Sequence, residues 1–175
     1  MTQPLRRLAM AQWDVFSSRP LEGNSLAVFL DGRGLTDAEM QSIAKEMNLS
    51  ETTFILPRGA ATERERGVRV RIFTVQEELP FAGHPTLGTA FALRGQNGAK
   101  EVALELNVGK VPVRFEDKDT QPAFGEMTPS VNDWPASVSV LATPGSSWMI
   151  LSICSTTFAV RSTAAASGNC TEISK

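Results

Sequence analysis

Leu79-Pro80-Phe81-Ala82-Gly83-His84-Pro85-Thr86-Leu87-Gly88-Thr89-Ala90-Phe91-Ala92-Leu93 is the stretch on which the fold turns. It approaches in extended form, turns at Gly83 and enters an apolar segment that reads as a helix. His84 takes the N-cap place and Pro85 the first helical position, where a missing N–H costs nothing. Gly95, after Arg94, reads as the stop. Leu87, Ala90, Phe91 and Leu93 do not keep to one face, so this short helix is expected to be buried rather than laid on a surface. Gly88, Thr89, Ala90 and Ala92 keep it thin enough for strands to close around it. The free N–H groups at such a helix start suit an anion such as a substrate carboxylate. Equally, the segment reads as a plain core helix entered through a glycine turn.

Outward from this helix the chain is mostly strand. Leu8 to Phe16 reads as a first strand, Pro20 to Asn24 as a turn-rich loop, and Leu26-Ala27-Val28-Phe29-Leu30 as a second strand stopped by Asp31-Gly32. Thr36-Asp37-Ala38-Glu39 has the form of a capping box, with Leu35 and Met40 placed as a hydrophobic staple. Met40, Ile43, Ala44 and Met47 recur at helical spacing, predicting an amphipathic helix over about 37–48. A strand follows through Thr52-Thr53-Phe54-Ile55-Leu56, then a charged loop to Arg66. Val68, Val70 and Ile72 alternate with Arg69 and Arg71 in a half-exposed strand running on to Val75. Val102, Leu104 and Leu106, the turn Asn107-Val108-Gly109, and Val111, Val113 and Phe115 make a hairpin. The expected class is α+β: a sheet wrapped around a central helix, with a second, exposed helix.

Length and composition bound the rest. The chain has 175 residues, room for one full-sized domain or one domain and part of a second. Its net charge of -2 gives no electrostatic case for nucleic acid or an anionic membrane. No apolar run approaches the roughly 20 residues that cross a bilayer, and the N-terminal segment breaks too soon for a signal peptide. Cys154 and Cys170 make neither a disulfide framework nor a zinc spacing. The cytoplasm is the expected location. After about residue 130 the composition changes. From Ala136 onward only Arg161, Glu172 and Lys175 are charged, and serine and threonine make up about a third of the residues. The reading is therefore a domain over 1–130 and a divergent, poorly ordered tail over 131–175.

Few residues offer chemistry. Glu51 stands where a helix gives way to an apolar strand; a carboxylate drawn toward a buried sheet has its pKa raised toward the range of a general acid/base. Most glutamates so placed are solvated strand ends. His84 is the only histidine, at the mouth of any anion site, and reads either as a catalyst or as a helix cap. Asn24, after Gly23, could meet a ligand or simply complete a turn. Glu77-Glu78 reads as a solvated pair. No metal-ligand cluster, phosphate loop or serine elbow is present in the sequence.

Three motifs carry a resemblance. Asp14-Val15-Phe16 with Pro20-Leu21-Glu22-Gly23-Asn24-Ser25-Leu26-Ala27-Val28 is the first; Met47-Asn48-Leu49-Ser50-Glu51-Thr52-Thr53-Phe54 is the second. The third is Arg71-Ile72-Phe73-Thr74 leading to Glu78-Leu79-Pro80-Phe81-Ala82-Gly83-His84-Pro85-Thr86-Leu87-Gly88-Thr89-Ala90. In this order, over roughly residues 8–127, they resemble the PhzF-like phenazine-biosynthesis family. The resemblance implies the diaminopimelate-epimerase fold, two similar halves that each curl a sheet around a helix and face each other across a cleft. It implies an isomerase without metal or organic cofactor that moves a proton between carbons. By the same resemblance Glu51 is the acid/base and His84 orients substrate or assists the proton. Gly83, His84 and Pro85 at the helix start, with Asn24 in the cleft, bind a small carboxylate substrate. Ser25 and Val75 stand where many members have proline.

The larger departure lies in the tail. The family's second half carries an Asp-Pro-Ala-Thr-Gly-Ser-Ala-like motif, and Ser162 to Gly168 lacks its Asp-Pro and its order. The chain thus reads as an N-terminal half with an unrelated tail, the second half of the fold missing. The expected activity is a truncated, inactive form of a proton-moving isomerase. The alternatives are a non-catalytic carboxylate-binding or interaction module, and an inactive truncated product. Expected partners are the carboxylate substrate and a second copy in a homodimer, with no nucleic acid and no membrane.

Overall fold

Leu26 and Val28 belong to one hydrophobic core, and their neighbours Ala27 and Phe29 to another. That alternation sets the architecture: a sheet with an apolar layer on each face. The computed structural model describes residues 6–17, 21–94, 98–118, 121–127, 151–161 and 172–174; for 116–118, 121–126 and the last two segments only the backbone is described. Gly95, Pro20 and most of the tail from 128 onward, including Ser162 to Gly168, lie outside the described residues, as does most of the expectation attached to that tail.

In chain order the strands are β1 (Arg6–Val15), β2 (Asn24–Phe29), β3 (Glu51–Leu56), β4 (Val68–Phe73), β5 (Glu78–Leu79), β6 (Glu101–Leu106), β7 (Gly109–Lys118), β8 (Gln121–Met127), β9 (Leu151–Arg161) and β10 (Glu172–Ser174). The helices are α1 (Asp37–Met47), α2 (Ala60–Arg66) and α3 (Gly83–Arg94). All the strands join one sheet, ordered β10-β9-β1-β2-β3-β4-β6-β7-β8, with β5 paired to β4. The β2/β3 and β4/β6 pairs are parallel, with the crossover connections carrying α1 and α3, and the other pairs are antiparallel. Two segments of the tail, β9 and β10, extend the sheet beyond β1, from Arg6↔Val160 to Asp14↔Leu151.

The helix predicted to be buried is buried. In α3 every residue from His84 to Ala92 lies in the interior, and the helix packs against β1, β2, β3, β6 and β8. Strands as far apart in the sheet as β1 and β8 reach the same helix, so the sheet curls around it. Val15, Leu26, Ile55, Val70, Ile72 and Leu104 close on Leu87, Ala90 and Phe91 to form the inner core. Gly88 sets the closeness of this fit: a Cβ there would lie 2.5 Å from Leu26 Cδ2 and 3.0 Å from Val15 Cγ2. The helix start falls earlier than the sequence suggests. Thr86 donates back to the Ala82 carbonyl, so Gly83 opens the helix and His84 sits inside its first turn instead of capping it.

On the outer face α1 covers Phe29, Phe54 and Phe73 through Met40, Ile43 and Ala44. Its capping box is formed: Thr36 Oγ1 accepts from the Glu39 N–H at 3.2 Å while Glu39 Oε2 accepts from the Thr36 N–H at 2.7 Å. Asn48, at φ 51°, ends the helix in the left-handed conformation that asparagine tolerates. The charged loop expected before Arg66 is instead the short helix α2, whose residues are all at least partly exposed. Its Ala-Ala-Thr-Glu-Arg-Glu-Arg run has helix formers but no apolar stripe, so periodicity gave no signal. The hairpin turns through Asn107-Val108, with Gly109 at φ 112° entering β7.

Candidate active site

Two chain reversals bring the polar groups together. The αL residue Asn48 releases the chain from α1, and three residues later Glu51 opens β3. The parallel register sets Glu51 beside Leu26, an inner-core residue, so the carboxylate takes the same face and looks toward α3. Thr53, next on that face, bonds Thr89 of α3 at 2.8 Å, with both hydroxyls fully buried. This bond holds β3 against the helix whose first turn carries His84.

There Glu51 Oε2 and His84 Nδ1 lie 3.3 Å apart, the side chains 17% and 7% exposed. Asn24, the first residue of β2, places Nδ2 3.3 Å from the same imidazole nitrogen. The Ser50 hydroxyl donates to Asn24 Oδ1 at 2.6 Å. Phe16, at the exit of β1, sets its ring 6.3 Å from the His84 ring, tilted by 59°. Asn24, Glu51 and His84 therefore form one cluster. Gly83 adjoins it, with space above its Cα limited by Met127 of β8 at 3.2 Å from a Cβ position. Pro85 follows, buried in the helix. The N–H groups of Gly83 and His84 fall in the first turn, where the helix offers them no acceptor.

Burial sets the protonation states. It pushes the Glu51 carboxyl above the ordinary carboxylate range, with a hydrogen bond from the Ser50 hydroxyl opposing it. It lowers the His84 imidazole to about 4 against an opposing Ser25 carbonyl. At neutral pH the imidazole is uncharged, so the 3.3 Å contact with Glu51 is not an ion pair. Glu51 Oε2 and His84 Nε2 are buried without a hydrogen-bond partner. Unsatisfied, desolvated polar groups of this kind cost stability and are characteristic of sites that act on a ligand. Among the described residues no three His, Cys, Asp or Glu side chains gather as metal ligands, and no helix is long and apolar enough to cross a membrane.

Two roles were hidden from the sequence. Ser50 stands in the sequence only as one member of the 47–54 motif, yet it orients Asn24; its one signal is a short hydroxyl directly ahead of the strand. Glu78, read as solvated, is gripped by Arg71 Nε at 2.8 Å and Asn107 Nδ2 at 2.9 Å.

Comparison with known proteins agrees with this arrangement. A family model described as phenazine biosynthesis-like protein matches residues 13–138. A trans-2,3-dihydro-3-hydroxyanthranilate isomerase of Pseudomonas aeruginosa is 43% identical over 121 residues, which are 69% of this chain and 42% of that protein. A phenazine biosynthesis protein of the PhzF family from Bacillus anthracis superposes with a TM-score of 0.61 at 30% identity, over 70% of this chain and 40% of that one. A hydroxyproline epimerase from Agrobacterium vitis, 14% identical, superposes at 0.51 over 68% of this chain and 40% of that one, and shows the fold alone. The fold is thus the diaminopimelate-epimerase-like one expected, and the chain spans about two fifths of the length of these relatives. With its sheet curled on a central helix and a family match across most of its length, the chain belongs to the phenazine biosynthesis-like, or PhzF, family of isomerases.

Proposed function

We propose that this chain supplies one wall of a cofactor-independent isomerase site that moves a proton between carbons of a small carboxylate substrate. The observation that carries the reading is the desolvated Glu51 carboxylate, its basicity raised by burial, 3.3 Å from a neutral imidazole. Glu51 takes a proton from a carbon next to an unsaturated or carboxyl-bearing centre and returns it to another carbon on the same face. Such a base needs a pKa above that of a solvated carboxylate, and burial supplies it. The neutral His84 orients the substrate by hydrogen bonding. The Gly83 and His84 N–H groups, at the positive end of α3, hold the substrate carboxylate. Asn24 keeps one amide hydrogen for ligand, because its other groups are engaged by His84 and Ser50.

A second reading is a non-catalytic carboxylate-binding module. It is favoured by the span of the match, 42% of the Pseudomonas relative, since a single wall desolvates a substrate incompletely. A split-enzyme experiment separates the two. The chain is incubated with trans-2,3-dihydro-3-hydroxyanthranilate in deuterated water, alone and with the C-terminal half of the Pseudomonas aeruginosa relative added in trans. Deuterium incorporation that needs both pieces and disappears with Glu51→Gln supports the isomerase wall. Carboxylate binding without exchange in either mixture supports the module and removes Glu51 from the acid/base role.

A further inference from the structure

The nitrogen His84 Nδ1 has two claimants, and it can serve only one. Neutral imidazole carries a single proton, so Nδ1 either accepts a hydrogen bond or donates one. The amide of Asn24 and the carboxylate of Glu51 both lie 3.3 Å from it. Which of them it serves depends on how the Asn24 amide is turned, and Ser50 decides that.

The contact between Ser50 Oγ and Asn24 Oδ1 is 2.6 Å. This length suits O–H···O and is short for N–H···O, whose usual distance is about 2.9–3.0 Å. The amide oxygen therefore faces the serine, and the amide N–H faces the imidazole. The Ser50 hydroxyl has another acceptor in the Ser25 carbonyl, but at 3.5 Å that contact is marginal. The hydroxyl has one proton, and the shorter bond takes it. With Asn24 donating into the Nδ1 lone pair, the ring proton resides on Nε2.

We infer that Ser50 is a positioning residue: through the Asn24 amide it holds His84 as the Nε2–H tautomer, and so keeps Glu51 from being tied up by an imidazole N–H. This rests on the reading of Glu51 as the acid/base, because a carboxylate already accepting the Nδ1 proton would be a weaker base. In the arrangement seen here Glu51 Oε2 has no donor, and its proton affinity is available to a substrate carbon. Loss of the serine hydroxyl frees the amide to turn. The amide then no longer holds a donor against Nδ1, so Nδ1 can carry the ring proton and turn it to Glu51 Oε2.

His84 is the only histidine, so histidine-selective 15N labelling of the whole chain gives one imidazole spectrum and no assignment problem. At pH 7 the wild-type protein is expected to show a protonated-type shift at Nε2 and an unprotonated-type shift at Nδ1. Ser50→Ala should lower the ratio of Nε2–H to Nδ1–H tautomer by roughly five- to tenfold, the weight of one hydrogen bond. Ser50→Thr, which keeps the hydroxyl, should restore it. A protonated-type shift at Nδ1 in the wild type would overturn the inference. So would an unchanged tautomer ratio in a folded Ser50→Ala protein, and the wild-type spectrum decides even if that variant does not fold. None of these readouts uses turnover. A failed complementation assay with the expected tautomer therefore counts against the isomerase reading alone, and the wrong tautomer with active complementation against the serine alone.

Discussion

The two faces of the sheet treat their charges in opposite ways. On the outer face Arg58 and Arg66 share Glu105, Arg69 meets Asn107, and Arg71 joins Glu78 of β5 to Asp37 of α1. The Arg71 guanidinium also lies 5.1 Å from the centre of the Phe73 ring. Arginine neighbours hold the Glu78 and Glu105 carboxyls below their ordinary range. On the inner face burial moves Glu51 the other way, and among the described residues no lysine or arginine pairs with it. All three are strand glutamates in one sheet. What separates them is whether the structure supplies a partner, and a glutamate deprived of one keeps its reactivity at a cost in stability.

That contrast is broken most severely at Glu51. In the two-piece assay Glu51→Gln should lower deuterium exchange by about 10²–10⁴-fold. The same change in the chain alone should leave thermal stability at pH 7 unchanged or slightly raised, because a desolvated carboxylate is replaced by a neutral amide. A clear fall in melting temperature would mean that Glu51 is a stabilising member of the fold like Glu105.

The next effect is read by pH. His84 titrates near 4 when folded and 6.5 when free. Between those values the unfolded chain takes up a proton that the folded chain refuses, so the group's contribution falls as pH drops from about 6.5 to about 4, by about 3 kcal/mol in all. Urea unfolding of the wild type and of His84→Gln across this window isolates it: their difference should change in favour of the variant as the solution is acidified. An imidazolium paired with Glu51 would reverse the sign, with stability lost as pH rises through a raised pKa.

Packing around α3 comes next. Leu26 and Val15, which a methyl at position 88 would strike, are both fully buried and have no room to yield. Gly88→Ala should cost about 2 kcal/mol despite the better helix propensity of alanine. Denaturant midpoints at constant slope check it, and a neutral or stabilising result would show a looser inner face than the one described.

Much of this was legible in the residues. The capping box at Thr36 and Glu39, the alternation in β4 and β6, and the unsided apolar run of α3 each state a local preference that the tertiary structure also satisfies. Glu51 and His84 could be singled out, but their meeting could not be derived from local pattern. It depends on the parallel β2/β3 register and on the helix start one residue before His84, both products of packing. The α2 helix was illegible because it buries no stripe, and the outer ion pairs because Arg71 meets Asp37 across 34 positions of sequence.

The smallest expected effect tests the outer face by its redundancy. Glu105 is 13% exposed and has two cationic neighbours, Arg58 at 27% and Arg66 at 58% exposed. Arg66 is the more solvated, so its bond of 2.8 Å to Glu105 competes with water and with salt. Arg66→Ala leaves Glu105 with Arg58, which also bonds the Gly67 carbonyl at 3.0 Å. The carboxylate is never stranded, and the change should cost less than about 0.5 kcal/mol, shrinking further in 0.5–1 M sodium chloride. Arg58→Ala should cost about 1–2 kcal/mol, because it removes the better-buried partner and leaves the Gly67 carbonyl without its donor. Equal losses for the two arginines, or a larger one for Arg66, would show that Glu105 is not shared as the geometry divides it. The outer face would then depend on single pairs, and the contrast with Glu51 would narrow from a difference in kind to one of degree.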